Sequence, residues 1–217
     1  MEARWRFINP WADLALLGIA INLIALLVSP LVRPDLNPWR DSLSYYAVGP
    51  SSWLQSVAFG AMGVALAALG LGLKRVPVAP RWRTLCRAML VVSGVCSVGL
   101  FVFPMGAPGP RTFIGDLHQT AGTIGGVAQL IAAFAFAVAV RHSRQWSTFF
   151  IPAIVALLLA ATGALLTQIA IWYPDLGIPM GATMRLVVVP LVLFWGAVAI
   201  RLRNRSPMPV NRSGDAK

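Results

Sequence analysis

Apolar residues along this chain collect into six long runs, at 14–32, 53–73, 84–103, 118–140, 148–172 and 181–200, separated by short polar breaks. A hydrocarbon core ~30 Å thick is crossed by about 20 helical residues at ~1.5 Å each, and every run is long enough. Lipid offers no partner to the backbone groups of an open strand, so each run reads as a helix. The alternation of an outer-membrane barrel strand is absent. The pattern therefore predicts an all-α, polytopic membrane protein built as a six-transmembrane-helix bundle. Residues 1–200 form one transmembrane domain, and 201–217 form a basic, disordered cytoplasmic tail. Arg4 and Arg6 ahead of the first run give it the look of a secretory leader, but no small-x-small site follows, so it reads as a retained span.

Polar residues at the breaks predict how the helices start. Ser52 to Gln55 has the form of a capping box, and Asp116 to Gln119 the form of an N-cap opening the fourth span. Asn37-Pro38 caps a short helix in the first long loop, which Gly49-Pro50 ends, with Trp39, Leu43 and Tyr46 on one interfacial face. Tyr45, Trp53, Trp172 and Tyr173 form an outer aromatic belt; Trp5, Trp11, Trp82 and Trp146 form an inner one. His118, Gly122, Gly125 and Gln129 share one stripe of the fourth span. Gly122 and Gly126 make a G-x-x-x-G that lets a neighbouring helix approach closely, and such small-residue faces also offer homo- or hetero-oligomer contacts. Asn22, Gln129 and Gln168 read as interhelical hydrogen-bonding groups. Cys86 and Cys96, ten positions apart on one helix, are packing residues and not a disulfide.

The chain is 58% hydrophobic and 12% charged, far from a soluble composition, and its formal charge of +11 changes the picture through its placement. Fourteen of the eighteen basic residues fall in alternate breaks and at the two ends; Arg33, Arg40, Arg111 and Arg185 lie on the other side. The positive-inside rule then puts both termini in the cytoplasm. Basic groups scattered over alternate loops do not make a nucleic-acid-binding stripe. Sixteen arginines against two lysines fit a G+C-rich bacterial genome, and hence a bacterial plasma membrane.

Chemistry is narrowed by elimination. His118 and His142 stand at opposite ends of one span, roughly 36 Å apart along a helix, so no bis-histidine haem site is available within one chain. No carboxylate falls near the middle of a span, which argues against proton-coupled transport. P-loop, H-E-x-x-H and G-x-S-x-G motifs are absent. The outer loops hold what remains. Ser44, His118 and Asp41 make a candidate nucleophile–base–orienter set. Tyr45, Tyr46, Arg111, His118, Asp175 and Arg185 make a candidate ligand-binding set. A metal held by His118, Asp41 and Asp175 is conceivable, but one histidine is thin for zinc, and neither metal nor other cofactor is expected. Each residue also has a plainer role: Asp116 as a cap, Arg185 snorkelling or paired with Asp175, Ser44 and the tyrosines as turn and interface residues.

The stretch from Asp41 to Pro50 (DSLSYYAVGP) with Trp53-Leu54, then Gly115-Asp116-Leu117-His118 and Arg185, resembles a prokaryotic family catalogued as domain of unknown function nine-nine-eight. The resemblance runs over nearly the whole chain. It implies a six-helix membrane protein and brings no established reaction. A more distant likeness is to the Frag1/DRAM/Sfk1 membrane proteins, some linked to lipid handling. The favoured expectation is a non-enzymatic protein whose extracytoplasmic mouth binds a lipid headgroup or small polar ligand, with Arg111 and Arg185 meeting an anionic group. The alternatives are an outer-leaflet hydrolase or transferase using His118, and a helix-packing scaffold for other membrane proteins.

Overall fold

The computed structural model describes residues 9–106 and 112–204. Within them the chain forms α1 (Pro10–Val32), α2 (Ser52–Gly72), α3 (Pro80–Val102), α4 (Phe113–Val140), α5 (Phe150–Trp172) and α6 (Met180–Arg203), with no strand. All six are long and apolar enough to cross a membrane. Their starts follow local chemistry. Pro10 and Pro80 occupy the first turns of α1 and α3, where a missing N–H costs nothing and φ is already helical.

Two expected caps are not the ones used. α4 opens at Thr112, whose Oγ1 accepts from Gly115 N at 3.1 Å, so Asp116 falls within the first turn and His118 lies deeper than a helix start at 118 would put it. Asp116 still faces the positive end of the helix dipole. α2 opens at Ser51, which takes a left-handed φ of 60° and makes no side-chain cap. Gln55 is thereby released from capping and turns inward, only 2% exposed, accepting from Ser29 Oγ at 3.4 Å.

Each helix packs on its neighbours in sequence, and α6 returns to α1 to close a ring. An Arg203–Asp13 ion pair of 3.0 Å joins the end of α6 to the start of α1. That end of the bundle is the terminal end, and the opposite one, with residues 33–51, 103–106 and 173–179, is the distal end. Small residues set the closest seams. A Cβ on Gly63 would stand 2.6 Å from the Gly94 carbonyl oxygen, and one on Gly163 would stand 2.7 Å from that of Thr183, so α2–α3 and α5–α6 meet backbone to backbone. Gly122 and Gly126 do not form such a seam. A Cβ on Gly126 would meet nothing within 4 Å, and one on Gly122 only Leu100 Cδ2 at 3.7 Å. Gly125, between them, makes the close approach, with Cys96 Cβ at 2.8 Å.

The terminal half of the ring is plugged by aromatic rings. Phe136 meets Trp146, Phe194 and Trp195 edge-on at centroid distances of 6.0, 5.6 and 5.7 Å. Trp146 is fully buried in this cluster and so does not belong to an interfacial belt, whereas Trp11 and Trp82 are exposed. Cys86 is buried and Cys96 half-buried, both as free thiols. Beside this plug, an open cleft of about 470 Å³ at the terminal end is lined by Pro77, Trp82, Ala139 and His142.

Candidate functional site

The distal site begins with the loop after α1. Asn37 Oδ1 accepts from Trp39 N and Arg40 N at 2.9 and 3.3 Å, which turns the chain sharply. No continuous interfacial helix follows. A short 3-10 helix, Leu43–Ala47, starts after Ser42, whose Oγ accepts from Ser44 N at 3.2 Å. Leu43 and Tyr46 therefore point inward, while Trp39 is 67% exposed, and the three do not share a face.

This turn carries Ser44 to α4. Its Oγ lies 2.9 Å from His118 Nε2, and His118 Nδ1 lies 2.7 Å from the Phe103 carbonyl oxygen at the end of α3. A carbonyl only accepts, so the neutral ring carries its hydrogen on Nδ1 and donates it there. Nε2 is left as the acceptor for the Ser44 hydroxyl. The result is a directed relay, Ser44 O–H to Nε2 and Nδ1–H to the Phe103 carbonyl, around a histidine that is 3% exposed. Asp41, expected as the orienter, is engaged elsewhere: its Oδ2 accepts from Asn37 N at 2.6 Å and braces the turn.

The other candidates disperse. Arg185 does not pair with Asp175. It donates to the Pro38 carbonyl and, at 3.2 Å, to that of Gly181, with its guanidinium carbon 5.9 Å from the centre of the Tyr46 ring. Together with Ala182 N donating to the Trp39 carbonyl at 2.8 Å, it ties the first loop to α6. Tyr46 is buried, its hydroxyl donating to the Leu36 carbonyl at 3.4 Å. Burial pushes its phenol above the ordinary range, with Arg185 pulling the other way. Tyr45 is half-buried beside Ser44, and Asp175 is exposed in the turn Pro174–Leu176. Arg111 lies outside the described residues. Among the described residues no three His, Cys, Asp or Glu side chains gather as metal ligands, so His118, Asp41 and Asp175 form no such group.

Two features escaped the sequence reading. Arg33 anchors the loop by donating to both oxygens of Asp35, the shortest bond being 2.7 Å, and to the Val48 carbonyl. The hydrogen bond from Arg33 holds the exposed Asp35 carboxyl below its usual range. The second is a recess of about 170 Å³ inside the distal half of the ring. Its polar lining is Asn22, Gln55, Ser93, Ser97 and Gln129, without one charged side chain. Asn22 Nδ2 donates to the Ala58 carbonyl at 3.3 Å, but its Oδ1 is buried without a partner. Gly122 and Gly126 hold the recess open. Leu43 and Phe59 line it as well; Leu43 adjoins Ser44, and Phe59 meets the His118 ring edge-on at 6.0 Å. The relay thus adjoins the recess through Leu43 and Phe59, while Ser44 and His118 themselves do not line it. A stripe of His118, Gly122, Gly125 and Gln129 was legible in α4, but the matching amides of α1 and α2 have no sequence spacing to it.

A family model described as "Protein of unknown function (DUF998)" matches residues 16–201, a stretch that contains Ser44, His118, Arg185 and every residue lining the recess. No curated protein and no solved structure matches the chain. With this match spanning all six helices, the chain belongs to the DUF998 family of proteins of unknown function.

Proposed function

We propose that this protein sits in a bacterial plasma membrane with both termini cytoplasmic, and that its extracytoplasmic, distal mouth binds a lipid through an uncharged polar group. The observation that carries the reading is the charge-free recess lined by amides and hydroxyls, with the buried Asn22 Oδ1 lacking a donor. An unpaired buried acceptor costs about 1–3 kcal/mol, which a ligand hydroxyl or amide N–H returns. A phosphate would have to shed its water for a site without a countercharge, so an anionic group is disfavoured there. Arg185, expected to meet such a group, does not line the recess; its Nη1 serves two carbonyls and its buried Nη2 has no partner. At about 170 Å³ the recess is smaller than the ~300–1,000 Å³ of most ligand pockets. It suits a headgroup-sized fragment, with the acyl chain lying along the apolar helix faces.

Lipid extraction from protein purified in mild detergent tests this. The double substitution Asn22→Leu with Gln129→Leu should strip a neutral, hydroxyl- or amide-bearing lipid that co-purifies with the unaltered protein. Identical lipid complements in both preparations would sink the reading. A membrane hydrolase or transferase is the second reading, favoured by the 2.9 Å contact between Ser44 and His118.

A further inference from the structure

We propose that Ser44 is a nucleophile, activated by His118, that accepts an acyl group from a neutral lipid ester at the distal mouth; this rests on the hydrolase or transferase reading. A serine hydroxyl is a weak nucleophile until a base within hydrogen-bond reach takes its proton, and that base must present an unprotonated nitrogen. Both conditions are met: Nε2 stands 2.9 Å from Ser44 Oγ, and the Phe103 carbonyl at 2.7 Å fixes the tautomer that leaves Nε2 free to accept. The carbonyl takes the place of the carboxylate in the usual nucleophile–base–orienter arrangement. It holds the ring and accepts from the imidazolium that forms, without adding a charge inside the bundle.

Ser44 Oγ bonds to the ester carbonyl carbon while its proton passes to Nε2. The carbon–oxygen bond to the leaving alcohol then breaks, and that oxygen takes the proton from Nε2, leaving Ser44 acylated. Water, or the hydroxyl of an acceptor lipid, next attacks the acyl carbon and gives its proton to Nε2. Oγ departs and recovers that proton, so the cycle closes with the acyl group moved and nothing oxidised or reduced.

Substrate class follows from depth and charge. Trp39, Trp53, Phe113, Trp172 and Tyr173 are strongly exposed around this end and mark the level of the membrane interface, where lipid ester groups lie. The recess adjoining the relay carries amides and hydroxyls and no charge, which selects an uncharged polyol or amide-bearing headgroup.

The test is a fluorophosphonate probe applied to membranes containing the full chain, with the adduct mapped by mass spectrometry. The expected result is a phosphonylated Ser44, absent in Ser44→Ala and formed at least ~100-fold more slowly in His118→Gln, with melting temperatures retained. A neutral monoacylglycerol should slow labelling, whereas an anionic phospholipid should not. Folded protein with no adduct on Ser44, or with labelling as fast in His118→Gln, overturns the proposal. An adduct on Ser44 in a protein whose lipid complement ignores the Asn22→Leu, Gln129→Leu change would defeat the recess reading alone. Lipid loss in that variant without any adduct on Ser44 would defeat the nucleophile alone.

Discussion

Ser44 and His118 are separated by 74 positions, and nothing about either in isolation marks it as reactive. Their pairing arises from two local events: the Asn37 turn with the Ser42 cap, which swings Ser44 inward, and the Thr112 cap, which places His118 one turn inside α4. Glycines illustrate the same dependence on surroundings. Gly63→Ala should cost about 1–3 kcal/mol, because the new methyl meets the Gly94 carbonyl in a seam that has no room to relax. Gly126→Ala should leave stability unchanged or raise it by up to about 1 kcal/mol, since its methyl enters open space in a helix interior that favours alanine. Thermal melts of both variants in one detergent check the contrast, and equal losses would refute it. Charge acts just as locally at Asp35. Its folded carboxyl titrates below the unfolded value near 3.8, so its contribution is complete above that pH and disappears as acid protonates the folded form. Melting temperatures followed from pH 5 downward should fall less steeply for Asp35→Asn than for the unaltered chain.

The loop 33–51 behaves as a strap laid across the distal end, and α6 is its buckle. Arg185, Gly181 and Ala182 between them engage the carbonyls of Pro38, Arg40 and Trp39. Replacing Arg185 with Leu removes the donor from two partly buried carbonyls, and a loss of about 1–3 kcal/mol follows. Because the strap carries Ser44, amide exchange over residues 36–48 should rise in Arg185→Leu while exchange in the α2–α3 seam stays slow. Uniform acceleration across the bundle would show that Arg185 holds more than the strap. A helix reading of this loop failed for a physical reason: side-chain caps at Asn37 and Ser42 divide it into two short turns, each satisfied by its own neighbours.

The bundle as a unit combines an aromatic cluster in its terminal half with a polar recess of about 170 Å³ in its distal half. Phe136, Trp146, Phe194 and Trp195 pack edge to face in that terminal half, where Trp146 and Trp195 are fully buried. The sidedness proposed from the distribution of arginine and lysine is open to direct test. In intact cells a membrane-impermeant maleimide should label Asp175→Cys, while Lys74→Cys should react only after lysis. Both positions are exposed at opposite ends of the bundle, and the native Cys86 is buried. The reverse pattern would place the relay in the cytoplasmic leaflet.

Hydrophobic run length alone determined the number of spans and their helical character, because lipid leaves the backbone no other way to satisfy its hydrogen bonds. Proline positions and the shared stripe of His118 and Gln129 were likewise legible in one dimension. Which small residues became seams and which became empty space was decided only in three dimensions. Gly122 and Gly126 look like a seam in sequence, yet Gly125 makes the contact. The amides Asn22 and Gln55 joined Gln129 because ring closure brings α1 and α2 around to face α4. Sequence spacing encodes a face within one helix. What that face meets is set by packing against other helices, and that choice set Ser44 and the carbonyl of Phe103, and not Asp41, against His118.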